Sequence, residues 1–410
     1  MKKKVLLLTQ WFDPEPTFKG LVFAKELVQQ GFDVEVVTGF PNYPSGKIYT
    51  GYSMKLLQRE IIDGVNITRV PLYPSHDSSP LKRIFNYISF ALAALCYCLF
   101  FAKRADVMYV YHPPLTTGVV AVIVRFFRRV PIVYDVQDMW PDTLKATGMI
   151  NNERVLNIIA WVASWVYKRV DRIVVLSPGF KKLLIQRQVD ENKIDVIPNW
   201  CAENSIKSQA TSGRPTGMPP KEYFKVLFAG NIGKAQALDV VVHTAESIER
   251  QYPNVAFIFL GAGVELKQLK EKAATCKNIH FIPQVSMDRV GEYLNEADVL
   301  LVHLKNDPLF EITIPSKTQA YMAAGKPIIM GVKGDAADII NNAKCGIAIE
   351  PENPTELADA VIHFQSLSNE MLNKRGQNSF DYYQKNLSLG TGVKSFANIF
   401  NDLVYIKDRV

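Results

Sequence analysis

The sequence predicts an α/β protein of two Rossmann-like domains that face each other across a cleft, and three observations carry that prediction. Strand-like and helix-like hydrophobic patterns alternate along nearly all 410 residues, as they do where helices wrap parallel sheets. The alternation stops once, at 199–223, "NWCAENSIKSQATSGRPTGMPPKEY", which has no period and is rich in Ser, Thr, Gly and Pro, as a linker is. It then restarts, and two similar halves joined by a linker imply a cleft.

The elements follow in order. In the first half, strands are expected at Lys4 to Thr9, Val34 to Thr38, Ile67 to Pro71, Val107 to Tyr111, Ile132 to Asp135 and Arg172 to Leu176. A helix is expected from about Lys19 to Gln30, before Gly31, and Ser177 with Pro178 opens another. In the second half, strands are expected at Val226 to Ala229, Ala256 to Leu260, Ile279 to Ile282, Val299 to His303, Ile328 to Met330 and Gly346 to Ile349, with a helix from about Leu238. The boundaries expected are an N-terminal domain at 1–198, a linker at 199–223 and a C-terminal domain at 224–384. No short repeat recurs, so a solenoid is excluded.

Composition narrows the class. A hydrophobic share of 48% is ample for two packed cores, and five cysteines without a C-x-x-C pair give no support to a disulfide framework or a zinc site. A reducing, cytoplasmic setting fits. The first residues carry three lysines but only four apolar residues in a row and no small-residue cleavage site, so they read as a strand rather than a signal peptide. The net charge of +7 is unevenly placed: residues 1–200 hold 25 basic against 17 acidic side chains, and residues 201–410 hold 22 against 23. A basic half can meet nucleic acid, an anionic membrane or an acidic substrate.

The neighbours of those charges favour membrane. Residues 84–101, "IFNYISFALAALCYCLFF", are uncharged and bracketed by Lys82-Arg83 and Lys103-Arg104. A spanning helix needs about 20 apolar residues, and this run contains Asn86, Ser89 and two tyrosines, so an interfacial or buried helix is expected rather than a span. "VVAVIVRFFRRVP" at 119–131 and "IIAWVASWVYKRV" at 158–170 again join aromatics to Arg and Lys. Each could be an ordinary amphipathic core helix. Three in one basic half point to a surface on the inner face of the cell membrane, and not to nucleic acid.

In open α/β sheets, ligands bind beyond the carboxyl ends of the strands, and three second-half loops there look equipped. "LFAGNIGKAQALD" places Gly230, Asn231, Gly233 and Lys234 after a strand, and "FLGAGVE" places Gly261 and Gly263 after the next. The third, "EITIPSKTQAYMAAGKPIIM", sets Pro315, Ser316, Lys317, Thr318 and Gln319 ahead of a small apolar helix that ends at Gly325. Ser316 with Gln319 three places on reads as a capping box; that serine could equally do no more than satisfy orphan N–H groups. Glycine lets backbone N–H groups approach a phosphate. Three such loops with Lys234 and Lys317 predict a diphosphate site.

These same segments carry a resemblance. "FAGNIGKAQALD", "FLGAGVELKQL", "IHFIPQV", "EADVLLVHL" and "PSKTQAYMAAGKPII" resemble, in order and spacing, the nucleotide-sugar half of family 4 glycosyltransferases with the GT-B fold. "LLLTQWFDPEPTFKGLVFAKELVQQGFDVEVVTGFPNYPSG", "HPPLT" and "YDVQDMWPDT" resemble the branch that builds bacterial O-antigens and capsules, including N-acetylfucosamine transferases acting on lipid-linked acceptors. The resemblance implies a retaining transfer from a UDP-sugar to a polyprenyl-diphosphate-linked acceptor, with no divalent metal and with the departing diphosphate met by protein cations and helix dipoles. It also implies that a final helix, at about 385–410, returns to the first domain, and that the uracil is read near Gln284 and Val285.

Two departures stand out. Where many relatives have an Arg and a Lys in the first loop of the second half, this chain has Asn231 and Gln236, which leaves the cationic work to Lys234 and Lys317. Of two glutamates eight residues apart, Glu311 can stand for the first, near the sugar or β-phosphate, while the second falls on Ala320 or Gln319, so Gln319 is assigned to the ribose. Glu311 could instead be a solvated loop charge. In the first half the resemblance places Lys19 and Gly20 opposite the diphosphate. Asp138 takes the acceptor proton or orients the hydroxyl; its other reading is a turn cap before Trp140-Pro141. Asp135, Asp142 and His112 are weaker candidates. The rival readings are a sugar-nucleotide epimerase of the same fold, a dehydrogenase, which would need the absent G-x-G-x-x-G, and a non-catalytic nucleotide-sugar binding protein at the membrane.

Overall fold

The structure is a computed structural model that describes residues 2–75, 80–146, 148–206 and 214–407. Two units emerge, Met1–Ile197 with Gly392–Val410, and Pro198–Thr391.

Unit 1 runs β1 (Lys4–Leu8), α1 (Leu21–Gln29), β2 (Asp33–Gly39), β3 (Gln58–Ile62), β4 (Val65–Val70), α2 (Pro80–Phe100), β5 (Val107–His112), α3 (Leu115–Arg128), β6 (Ile132–Val136), α4 (Asp142–Ala146), α5 (Glu153–Arg169), β7 (Arg172–Val175), α6 (Pro178–Gln186) and β8 (Ile194–Val196). The sheet order is β3-β4-β2-β1-β5-β6-β7-β8, parallel throughout except for β3 against β4. Strand order reverses direction at β1 and β5. The central strands read as apolar runs because both their faces are covered; all of β5 and all of β6 are buried. β3, "QREII", went unforeseen because an exposed edge strand alternates and carries charge. Its Glu60 meets the fully buried Arg69 of β4 at 2.6 Å. Ser177 does cap α6, accepting from Phe180 N–H at 3.1 Å with Pro178 in the first turn.

Unit 2 runs α7 (Glu203–Ile206), β9 (Phe224–Ala229), α8 (Asp239–Ile248), β10 (Val255–Leu260), α9 (Leu266–Lys272), β11 (Ile279–Ile282), α10 (Met287–Glu296), β12 (Val299–His303), α11 (Pro308–Glu311), α12 (Ser316–Ala323), β13 (Ile328–Gly331), α13 (Asp335–Ala343), β14 (Gly346–Ala348), α14 (Pro354–Ser366) and α15 (Asn369–Asn386). Its six strands are all parallel, in the order β11-β10-β9-β12-β13-β14. The switch point lies between β9 and β12, and the two faces of the sheet hold separate apolar clusters.

The stretch 199–223 is not a free linker where it is described. Ile206 and Met218 belong to the core of unit 2, and Glu203 accepts from the Tyr383 hydroxyl and from Leu389 N–H, both at 3.0 Å. Residues 207–213 lie outside the described residues. The last helix, α16 (Leu389–Lys407), belongs to unit 1 from Gly392 on. It returns to unit 1 because it carries that unit's missing aromatics. Phe396 lies 5.2 Å from Phe23 and 5.5 Å from Tyr109, and Phe400 lies 5.9 Å from Phe32, ring to ring. Phe396→Ala is therefore expected to lower the unfolding free energy of the chain by about 3–5 kcal/mol in urea titrations followed by circular dichroism; a loss below about 1 kcal/mol would mean that α16 is a dispensable tail.

Candidate active site

Unit 2 gathers its chemistry at the carboxyl ends of β9 and β12. α12 is short, and Lys317 and Tyr321 stand one turn apart on the same face of it. The Tyr321 hydroxyl brackets the last residue of β9: it accepts from Ala229 N–H at 2.8 Å and donates to Ala229 O at 3.2 Å. One turn earlier, Lys317 lies across Gly230. A Cβ at Gly230 would stand 2.8 Å from Lys317 Cε and 3.2 Å from Nζ, so the glycine makes room for the lysine. The ammonium sits 4.3 Å from the centroid of the Phe228 ring, a cation–π contact. No carboxylate pairs with it among the described residues, and burial alone lowers its pKa to about 8. A half-buried, uncompensated cation beside an exposed glycine at a switch point is a seat for an anion.

The neighbouring glycines serve a different purpose from the one expected. At Gly261 a Cβ would stand 2.0 Å from Gly230 O, and at Gly263 2.1 Å from Ile232 O. Their missing side chains thus let the loop after β10 pack on the loop after β9, and Ile232 N–H donates to Ala262 O at 2.8 Å. Gly233 is buried, and its N–H donates to Gln236 Oε1 at 3.0 Å. Asn231 and Lys234 are exposed on the same loop and open to a ligand.

The capping box is also corrected. α12 starts at Ser316 with Pro315 as its N-cap, and no side chain caps it. Proline has no N–H, so the reciprocal bond of a capping box cannot form. Gln319 is instead buried, and with its amide turned so that the nitrogen faces the backbone of the first turn, it donates to Pro315 O at 3.0 Å and Ser316 O at 3.1 Å. That removes it from the ribose. Thr318 is fully buried, out of reach of a diphosphate, and its hydroxyl has no partner among the described residues. Ser316 remains exposed. Glu311 closes α11 and is exposed, while its backbone carbonyl presses on Gly334. Gln284 is exposed and Val285 packs partly on the core, in the loop after β11, two strands from β9.

Sequence reasoning missed His303, at the end of β12. Its Nδ1 donates to Gln236 O at 2.8 Å and its Nε2 accepts from Glu352 N–H at 3.1 Å, which fixes the neutral tautomer; burial pushes its pKa down. It ties the loop after β9 to the turn before α14. A histidine closing a buried strand was the available signal.

In unit 1 the carboxylates around β6 have separate fates. Asp135 is fully buried, accepting from Tyr109 Oη at 2.5 Å and Gln137 Nε2 at 2.7 Å. Asp142 pairs with Arg187 at 2.5 Å. Asp138, in the loop after β6, has no hydrogen-bond or ion-pair partner for its carboxylate among the described residues, and burial raises its pKa. Structural duties consume the other two and leave Asp138 free to act as a base. Lys19 is 1% exposed, within the field of Asp135 and 5.4 Å from the Phe396 ring centroid, with its pKa lowered to about 8 by burial. It is an interior lysine of unit 1, not an open cation. Gly20 makes room for Asp13, whose carboxylate accepts from Leu21 N–H at the start of α1. The chain's own carboxylate thus fills the helix terminus expected for the diphosphate. His112 is fully buried; neither ring nitrogen has a partner among the described residues, and burial pushes its pKa to about 3, so it is neutral.

Comparisons with known proteins agree with this fold. The profile described as "Glycosyl transferase 4-like domain" matches residues 21–200, and that described as "Glycosyl transferases group 1" matches residues 214–381. The two matches together place the chain in the family 4 glycosyltransferases, with the GT-B fold. Glycosyltransferase WbjE of Pseudomonas aeruginosa is 24% identical over 63% of this glycosyltransferase and 66% of its own length, just under two thirds. WcaI of Escherichia coli strain K12, named as a colanic acid biosynthesis glycosyl transferase, is 23% identical over 96% of this chain and 99% of its own. Among solved structures, Anabaena Alr3699/HepE in complex with UDP and glucose superposes with a TM-score of 0.67 at 14% identity, over 98% of this chain and 100% of that one.

The lysine gives the enzyme a pH signature. Its folded pKa lies below the usual lysine value, so the cost of burying it is fully present below about pH 8 and is relieved as pH rises from about 8 to 10.5, while its charge, and with it the pull on a diphosphate, is lost as pH rises through about 8. Affinity for a nucleoside diphosphate is expected to hold steady below pH 7 and weaken above pH 8. Calorimetry at pH 8.5 should show proton uptake on binding. Lys317→Met should weaken binding by about 10- to 100-fold and flatten the profile without lowering stability; an unchanged profile in that variant would remove the lysine from the site.

Proposed function

We propose that this enzyme is a retaining, metal-independent transferase in bacterial surface-polysaccharide synthesis, of the O-antigen or capsule kind. In this reading it moves an N-acetylated hexosamine or deoxyhexosamine, of the N-acetylfucosamine type, from a UDP-sugar to a polyprenyl-diphosphate-linked saccharide at the cytoplasmic face of the membrane. The observation that carries the reading is Lys317, held over Gly230 with no carboxylate to neutralise it among the described residues. The similarity to WcaI supports the pathway class, and the UDP in the HepE structure supports the donor.

The chemistry divides between the units. In unit 2 the bond between the anomeric carbon and the β-phosphate oxygen breaks, and negative charge develops on the leaving diphosphate. A pre-placed ammonium beside that charge is worth on the order of 3 kcal/mol of barrier, with Lys234 and Asn231 on the adjacent loop able to add to it. In unit 1 Asp138 takes or orients the acceptor hydroxyl proton; where it only orients, the leaving phosphate oxygen takes the proton. The acceptor oxygen then bonds to the anomeric carbon on the face the diphosphate left.

The test is a panel of UDP-sugars with polyprenyl-diphosphate saccharides, without added metal, following UDP release and the anomeric configuration of the product by NMR. Release of UDP matched by a retained glycosidic bond is the expected outcome. Conversion of the UDP-sugar to its epimer without transfer to the acceptor would instead mark an epimerase, and binding without turnover a non-catalytic protein. Asp138→Asn should lower kcat by about 10²- to 10⁴-fold and leave nucleoside diphosphate affinity unchanged; undiminished kcat would return Asp138 to a turn-capping role.

A further inference from the structure

Large apolar side chains left in solvent are concentrated in unit 1. Unit 2 exposes only Val264, Met287 and Met371 among the described residues. Unit 1 exposes Leu92 at 64% on α2, Phe100 at 75% and Phe101 at 61% at and just past its end, Phe126 at 79% and Phe127 at 67% at the end of α3, and Trp161 at 68% on α5. These helices form one layer, because α3 packs against both α2 and α5. Arginines of α3 join their ends: Arg128 donates to Cys98 O at 2.5 Å and Arg125 to Arg169 O at 2.6 Å. An apolar expanse of this extent has to be covered by something.

Charge identifies the cover. Lys103, Arg104 and Arg129 are exposed beside the two phenylalanine pairs. A small cavity at the same corner is lined by Lys103, Arg104 and Arg128 with Leu6, Ala105, Met108, Val124 and Val130, and no carboxylate lines it. Aromatic side chains flanked by cations that have no ion-pair partner among the described residues match the boundary of an anionic bilayer, where rings enter the acyl region and cations meet phosphate.

α2 cannot leave the domain to cross that bilayer. Leu81–Phe100 is long and apolar enough to do so by length and composition, but Asn86, Phe90, Ala94 and Cys98, four residues apart in succession, are each 2% exposed or less. Asn86 also donates to Tyr73 O at 2.7 Å and accepts from Gln10. One face of α2 is sealed into unit 1 while the other is bare. We infer that unit 1 rests on an anionic membrane through the outer faces of α2, α3 and α5, with α2 lying in the plane of the interface and the phenylalanine pairs inserted beside a cationic corner that holds lipid phosphate.

This deepens the proposed function, which it needs only for its lipid-linked acceptor, and its test uses neither donor nor acceptor. The full chain is sedimented with vesicles of phosphatidylcholine alone or mixed equally with phosphatidylglycerol. Binding is expected to the mixed vesicles, with a blue shift of tryptophan emission, to fall sharply in high salt, and to be reversed by alkaline carbonate. Lys103→Glu with Arg104→Glu should weaken it by at least about 30-fold, and Phe126→Ser with Phe127→Ser should abolish it. These side chains are exposed, so circular dichroism and nucleoside diphosphate affinity should stay as in the parent, and either would reveal a variant that has misfolded. Equal binding to neutral and anionic vesicles, no binding, resistance to carbonate, or unaltered binding by both variants would overturn the inference. So would a dimer in sedimentation equilibrium that the phenylalanine variant alone dissolves, because that would assign the face to a second copy.

Discussion

Much of unit 2 is organised around a lysine that has no counter-ion among the described residues. Holding Lys317 half-buried costs solvation, and its depressed pKa registers that cost. The surrounding parts make the arrangement possible. Phe228 offers a ring face in place of a carboxylate, Gly230 gives the side chain room, and Tyr321 locks the end of β9 so that the target stays in place. Gly261 and Gly263 then allow the next loop to close against the first. A carboxylate in the same position would neutralise the lysine and stabilise the unit, and it would also remove the charge that a diphosphate needs.

That constraint explains which parts of the site could be read in the sequence. Lysine and glycine types at strand ends, and their order, were legible because the architecture dictates where ligand loops fall. The purpose of each glycine was not, because a glycine that admits a phosphate and one that admits a neighbouring backbone look alike in one dimension. Gly230 makes room for a lysine, whereas Gly261 and Gly263 make room for carbonyls. Ser316 and Gln319 misled for a related reason. The spacing fits a capping box, but the helix begins one residue earlier than the box requires, and a proline N-cap has no N–H to offer.

The fold itself was legible wherever strands are covered on both faces. Apolar runs such as "VAFIFL" allow little choice, and the regular spacing of such runs gave the α/β class and the two parallel sheets. The edge strand β3 escaped because it has neither coverage nor an apolar run. The stretch 199–223 has the composition of a linker, yet it places Ile206 and Met218 in a core; two apolar residues in a polar segment are enough to anchor it once a complementary surface exists. Composition reports the average of a segment, and packing depends on its exceptions.

The three aspartates near β6 show how one local sequence can divide structural from chemical roles. Asp135 lies inside the sheet and is held by Tyr109 and Gln137, so its charge has already been placed. Asp142 opens α4 and is held by Arg187. Asp138 falls between them, in the loop after β6, where the strand has ended and the next helix has not begun, and there no partner reaches its carboxylate among the described residues. A carboxylate in that position is raised by burial toward the range in which it can accept a proton. The two units thus arrive at the same device from opposite charges. Each keeps an ionisable side chain partly desolvated, with no ion-pair partner among the described residues, at the carboxyl edge of its sheet.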